Sequence, residues 1–85
     1  MKYHEGDFLV CDDGGFITVF EVLGYSEFSH HSKTECYKVK THYNEMFMEE
    51  IGMVFQDFSV NNEETTRVVG AEEAKRIIIK RTLRR

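Results

Sequence analysis

The side chains of this sequence with the most chemical potential are two cysteines, four histidines and an acidic run before two glycines. Zinc takes four nitrogen or sulfur ligands in tetrahedral geometry, usually from close pairs such as Cys-x2-Cys. Cys11 and Cys36 stand far apart, and the adjacent pair His30 and His31 lacks ligand spacing. Polar loop histidines and one cysteine in each of two strands explain the set without a metal. The sequence therefore predicts no metal and no cofactor.

Nucleophilic catalysis needs an activated side chain next to a base, and a Cys–His pair with Asp12 or Asp13 is the available combination. Cys11, however, ends the apolar run FLVC, where a thiol is more often inert core. The following DDGG cluster is explained by turn chemistry, because Asp bonds its own backbone and glycine accepts a positive φ. No P-loop, dinucleotide or nucleophile-elbow pattern occurs. The sequence therefore predicts a protein that is not an enzyme.

The charge of the chain reverses near its C-terminal end. Residues 1–66 hold 4 Lys/Arg against 13 Asp/Glu, a net charge of −9, whereas residues 67–85 hold 7 against 2, a net charge of +5. Such asymmetry indicates a surface that meets a charged partner. The basic face predicted from this segment consists of Lys75, Arg76, Lys80, Arg81, Arg84 and Arg85.

Three interpretations of this basic face remain open. It is suited to nucleic-acid phosphates or to an acidic patch on a partner protein. It is equally suited to completing the helix dipole and pairing with the acidic body, in the same chain or in a second copy. The pI near 5.5 weighs against dedicated nucleic-acid binding, for which a basic domain is usual.

Aromatic side chains offer a second candidate surface. Phe28 lies in the polar stretch 26–34 and Tyr25 immediately precedes that stretch, so both are candidate apolar anchors for a partner. Tyr3, Tyr43 and Phe47 either frame a ligand groove with them or fill a core that has no tryptophan.

About five short strands must position these side chains. Apolar or alternating runs predict strands at 8–11, 16–25, 35–43, 53–60 and 65–69. In the third strand, alternation places Tyr37, Val39, Thr41 and Tyr43 on one face. The stretch 44–52 fits either a short helix capped by Asn44, with Phe47 and Ile51 inward, or an irregular approach to the fourth strand.

The C-terminal segment predicts a helix that begins after Gly70. Acidic residues stand in its first turn and basic residues near its end, as the helix dipole favours. Ala74, Ile77, Ile78 and Arg81 share one stripe of that helix. The run Ile77 to Ile79 keeps a strand open as the alternative, because three consecutive β-branched residues favour extended backbone.

The 85 residues predict a single domain, with a β-rich body at 1–69 and a basic helix at 70–85. The strand order, the polar loop after the second strand, the final helix and the opening EGDFLV together resemble a small SH3-like barrel. A compact α+β sheet with one packed helix is the alternative. The resemblance implies binding of peptides, proteins or nucleic acids rather than catalysis.

Compartment and function follow from the remaining features. The start MKYHEGDF lacks the apolar region of a signal peptide, no run approaches the roughly 20 residues of a membrane span, and two cysteines are too few for a disulfide framework. We therefore expect a cytoplasmic, non-enzymatic accessory or regulatory module that acts by charge-steered docking on a protein partner or forms an oligomer. The small size and general character of the sequence suggest a phage or mobile-element origin. The alternative function is a nucleic-acid-binding regulator that uses the basic C-terminal segment.

Overall fold

Five antiparallel strands form one open sheet, and a helix follows the last strand. The computed structural model describes residues 2–27, 35–60 and 63–84. The elements are β1 (Phe8–Asp13), β2 (Phe16–Tyr25), β3 (Tyr37–Asn44), β4 (Val54–Phe58), β5 (Thr66–Val69) and α1 (Ala71–Leu83), with short 3-10 turns at Met48–Glu50 and Glu63–Thr65. The strand order is β4-β3-β2-β1-β5. The predicted class, mainly β with a C-terminal helix, is confirmed.

A tight turn fixes the register of the first hairpin. Gly14 and Gly15 have φ of +62° and +94°, a region that glycine adopts without a steric penalty. The Gly15 amide donates a hydrogen bond of 2.9 Å to Asp12 Oδ1. The DDGG cluster therefore acts as the predicted turn, and it places Val10 opposite Val19.

Each face of the sheet carries a buried core, and successive residues of a strand contribute to different cores because their side chains point to opposite faces. One core lies under the helix and contains Val10, Ile17, Val19, Tyr43, Val69 and Ala74. The other contains Tyr3, Leu9, Val22, Tyr37 and Val39, with Phe20, Phe55, Phe58 and Val60 packed against it. A sheet covered on both faces explains why β2 is apolar in both alternation sets.

The alternation of β3 changes near its end. Val19 pairs with Tyr43 but the next residue, Phe20, pairs with Thr41, so His42 is an extra residue in the ladder. Such a bulge shifts the side chains that follow it. Tyr43 therefore joins the core under the helix, and the expectation that it shares a face with Tyr37 was wrong.

The helix continues through Ile77 to Ile79, so the strand alternative is excluded. Ala74 is buried, and Ile77 and Ile78 pack against the core beneath it. Tertiary burial of this stripe outweighs the weak helix propensity of β-branched residues.

No helix in the described part of the chain is long and apolar enough to cross a membrane.

Thr41 provides a prediction in which a substitution in the core increases the stability of the fold. Its side chain is fully buried, and its hydroxyl has no hydrogen-bond partner among the described residues. Replacing an unsatisfied buried hydroxyl by a methyl group removes its desolvation penalty. Thr41→Val should therefore raise the free energy of unfolding by roughly 1 kcal/mol in urea denaturation. Thr18→Val, at a half-buried position of β2, is the control and should change stability less; a loss of stability in Thr41→Val would contradict the prediction.

Candidate functional site

The structure describes both cysteines and two of the four histidines. No group of three or more His, Cys, Asp or Glu side chains in the described part of the chain is placed to hold a metal ion. Cys36 is buried, and burial raises the pKa of the half-buried Cys11 thiol, which disfavours the nucleophilic thiolate. His42 Nε2 lies 2.8 Å from Glu21 Oε1 on the sheet. His30 and His31 lie outside the described residues.

An ion pair between Glu45 and Arg81 joins the helix to the sheet. Arg81 Nε lies 3.0 Å from Glu45 Oε2, and Arg81 Nη2 lies 2.6 Å from Glu45 Oε1. The same Nη2 donates a 2.6 Å hydrogen bond to the Gly15 carbonyl in the β1–β2 turn. The Glu45 carboxylate also accepts hydrogen bonds from the Ile17 amide and the Tyr43 hydroxyl. Three separate parts of the chain are therefore tied at one point.

The pKa of Glu45 reflects these contacts. Hydrogen bonds from Arg81 lower it from 4.5 to about 2, outweighing burial, which acts in the opposite direction. The Glu45 side chain is only 10% exposed. Arg81 is therefore paired with an acidic residue of the same chain. This is what one of the three interpretations of the basic face expected for its residues.

The structure divides the predicted basic face into two sets. Lys80, Arg81 and Arg84 line one groove beside β1 and β5. Lys75 lines a different cavity with Phe8 and His42, and Arg76 is exposed on the outer side of the helix. Arg85 lies outside the described residues. The described cations of the predicted basic face therefore differ in their surroundings.

The most conspicuous exposed surface lies in the connection from β3 to β4. Eleven large apolar side chains are exposed among the described residues, and six of them fall within residues 46–54. We call these six the loop surface: Met46, Phe47, Met48, Ile51, Met53 and Val54, each 41–54% exposed. Isolated exposed apolar residues are ordinary, whereas six within nine consecutive residues of a small protein is a concentration typical of interaction sites.

Backbone hydrogen bonds hold the loop surface in place. Asn44 Oδ1 accepts bonds of 3.0 and 2.9 Å from the amides of Met46 and Phe47. Gly52, with φ of +91°, donates to the Thr41 carbonyl at 2.7 Å, and the Thr41 amide donates to the Met53 carbonyl at 2.8 Å. The exposed apolar side chains therefore stand on a loop that hydrogen bonds tie to the end of β3.

The loop surface continues into an edge strand, where acidic side chains outnumber the exposed Lys38 and Lys40 of the neighbouring strand β3. β4 is the terminal strand of the sheet and pairs only with β3 in the described residues. Glu49 and Glu50 stand on the 3-10 turn within the loop, and Asp57 is exposed on β4. An edge strand presents backbone groups that a further strand can pair with. The arrangement therefore combines apolar area, open backbone and negative charge.

The predicted aromatic anchors fall elsewhere. Tyr25 is 43% exposed, and its ring packs edge-on against Tyr37 at 5.8 Å. It stands beside Tyr37, the first residue of β3, whereas the nearest member of the loop surface, Val54, pairs with Lys40, so the two are separated by roughly 10 Å of strand. Phe28 lies outside the described residues. Tyr3 and Tyr43 are buried and fill the cores, and Phe47 belongs to the loop surface.

The sequence reasoning did not group the loop surface, because it left residues 44–52 open between an irregular approach to the fourth strand and a short helix with Phe47 and Ile51 inward. The structure corrects the inward placement, since the helical part is only three residues long and contains no buried residue. One sequence signal was available: NEMFMEEIGMV combines apolar residues with acidic ones at no helical or strand period.

Comparison with protein-family models, with characterised proteins and with solved structures finds no match to this chain. The resemblance to SH3-like barrels therefore stays a prediction, and the function must be argued from the surfaces described above.

Proposed function

We propose that this chain is a non-enzymatic accessory or regulatory module that binds a partner protein through the loop surface. The observation that carries the proposal is the group of six exposed apolar side chains within residues 46–54. Exposing this much apolar area costs free energy in water, and a partner that covers it recovers that cost. Three of the six are methionines, whose flexible side chains adapt well to an apolar partner.

The surrounding charge indicates what kind of partner fits. Three acids, Glu49, Glu50 and Asp57, lie around the loop surface and outnumber the two exposed cations of the adjacent strand β3, Lys38 and Lys40. Complementary potentials raise the rate of encounter and disfavour partners of the same sign. A partner segment with apolar side chains and flanking Lys or Arg is therefore favoured. An extended segment would in addition pair with the open edge of β4, as in strand addition to a sheet.

The proposal is tested by affinity capture from an extract of the cells that make this protein. The double variant Phe47→Ser/Met48→Ser is compared with wild type, and captured proteins are quantified by mass spectrometry. A specific partner should fall by about 10- to 100-fold, because apolar anchors at an interface centre contribute most of the binding free energy. Both side chains are about half exposed, so the thermal midpoint should change little.

The helix provides a matched control. Ile79 and Leu83 are exposed apolar residues one turn apart on α1, at 50% and 81% exposure. Ile79→Ser/Leu83→Ser removes comparable apolar area away from the loop and should retain the partner. Equal loss in both double variants would indicate non-specific adsorption and would refute the proposal.

Two alternatives from the sequence stay predictions. Self-association of the acidic body with a basic helix predicts a dimer that dissociates as salt is raised, because screening weakens exposed ion pairs. Nucleic-acid binding by the C-terminal segment predicts affinity for oligonucleotides that falls steeply with salt. Sedimentation at low and high salt addresses the first, and an oligonucleotide titration addresses the second.

A further inference from the structure

A second surface lies between the helix and the strands, distinct from the loop surface. It is a groove of about 240 Å³ in which side chains of α1 face residues of β1, β2 and β5. We call it the helix groove, and its lining is Val10, Asp12, Ile17, Arg67, Ile77, Lys80, Arg81 and Arg84. Four of these residues are cations and one is an anion, although the chain as a whole carries a net charge of −4.

The positive charge of the helix groove is only partly neutralised within the chain. Arg81 is paired with Glu45. Arg67 lies 4.0 Å from Glu73, and both side chains are at least half exposed, so this contact is weak. Neither Lys80 nor Arg84 has an acidic partner in the described ranges, and the two stand one helical turn apart. The groove therefore has cations available on both of its sides.

Three apolar side chains lie at the base of the groove, and only one of them, Ile77, is more than marginally exposed. Val10 and Ile17 are buried residues of the core, and Ile77 is half-buried beside them. A phosphate group gains no contact from apolar side chains, and the described lining offers no aromatic ring on which a base could stack. The groove therefore does not favour nucleic acid. A carboxylate next to an apolar side chain satisfies both features, because the carboxylate reaches the cations while the side chain covers the apolar residues.

We infer that the helix groove binds an acidic protein segment that carries an apolar side chain among its carboxylates. This site does not depend on the loop surface and selects the opposite charge, so the chain would hold two segments of unlike chemistry. Asp12 does not prevent an acidic segment from binding. Its Oδ1 accepts a hydrogen bond from the Gly15 amide, and three cations besides Arg81 line the groove.

The test uses fluorescent peptides of defined composition on the full chain. One peptide has two Leu residues flanked on both sides by Glu, the second has Ser in place of Leu, and a single-stranded oligonucleotide of equal charge is the third probe. The Leu peptide should bind most tightly and shift the methyl resonances of Val10, Ile17 and Ile77. Lys80→Gln/Arg84→Gln should weaken it by about fivefold to tenfold, as expected for two exposed charge pairs.

A variant with the same change of charge controls for long-range attraction. Lys75→Gln/Arg76→Gln removes two cations of α1 that do not line the groove, and it should leave the affinity within about twofold of wild type. Equal weakening in both double variants, equal affinity for the Ser peptide, or an equally bound oligonucleotide would each overturn the inference. Absence of binding to all three probes would overturn it as well. None of these outcomes bears on the Phe47→Ser/Met48→Ser comparison.

Discussion

Truncating either of two neighbouring residues, Leu9 or Val10, to alanine is expected to destabilise the fold strongly. Leu9 is fully buried in one core and Val10 is 4% exposed in the other, under the helix. Burying such a side chain stabilises by about 1.5–3 kcal/mol, and the cavity left by truncation adds to the loss. We expect a loss of about 3 kcal/mol for Leu9→Ala and about 2 kcal/mol for Val10→Ala in urea unfolding.

Together, Leu9→Ala and Val10→Ala test whether both faces of the sheet are buried at β1. A sheet with one solvated face would tolerate one of two adjacent truncations, since alternate residues point to opposite faces. Val68→Ala on β5, where the side chain is 52% exposed, is the control and should cost less than about 0.5 kcal/mol. If one of the two core variants were as stable as this control, only one face would be buried.

Replacing the Glu45 carboxylate by an amide is the second prediction with a large effect. Glu45→Gln keeps the shape of the side chain but replaces one carboxylate oxygen by an NH2 group. That NH2 group then faces N–H or O–H groups that donate hydrogen bonds to the oxygen in the wild type. Donors from Arg81, Ile17 and Tyr43 surround both carboxylate oxygens, so no orientation of the amide satisfies all of them. We expect a loss of about 2 kcal/mol, which corresponds to roughly 10 °C in the thermal midpoint of a domain of this size.

The effect of Glu45 depends on pH in a defined direction. Its pKa is about 2 in the folded chain against an ordinary value of 4.5, so the unfolded chain binds the proton more tightly. The stabilisation is therefore present above about pH 4.5 and is lost as the pH falls toward about 2. The difference in stability between wild type and Glu45→Gln should be largest near neutral pH and should shrink across this window.

An exposed acid of the same loop controls for general charge effects. Glu49→Gln removes one negative charge from the exposed side of the loop and should leave both the stability and its acid dependence nearly unchanged. If the difference between wild type and Glu45→Gln stayed constant from pH 7 to pH 2, the lowered pKa of Glu45 would be ruled out as its source.

Local sequence signals predicted most of the fold. The DDGG turn, the apolar runs of β1 and β2 and the polar first turn of α1 are determined by nearby residues, and the structure agrees with them. The end of β3 was less predictable, because the bulge at His42 is a property of pairing with β2. The Ile77 to Ile79 run was ambiguous by propensity, and only the core beneath the helix favours the helical form.

The candidate sites were less predictable because they depend on long-range contacts. Arg81 was assigned to a binding face, yet Glu45, far away in sequence, holds it against the sheet. Arg67 was counted among the basic residues, but only the folding of β5 against α1 shows that it lines one groove with Lys80 and Arg84. Exposure of Phe47 and Ile51 likewise depends on how the loop folds back onto Thr41, which no periodicity reveals.

The most direct measurement of the central proposal is site-specific photo-crosslinking in the cells that make this protein. A photoreactive phenylalanine analogue is placed at Phe47 and, in a separate variant, at Leu83 on the outer side of the helix. The loop surface predicts a discrete crosslinked protein from position 47 that is absent or much weaker from position 83. No discrete product at position 47, or the same products from both positions, would contradict binding through the loop surface.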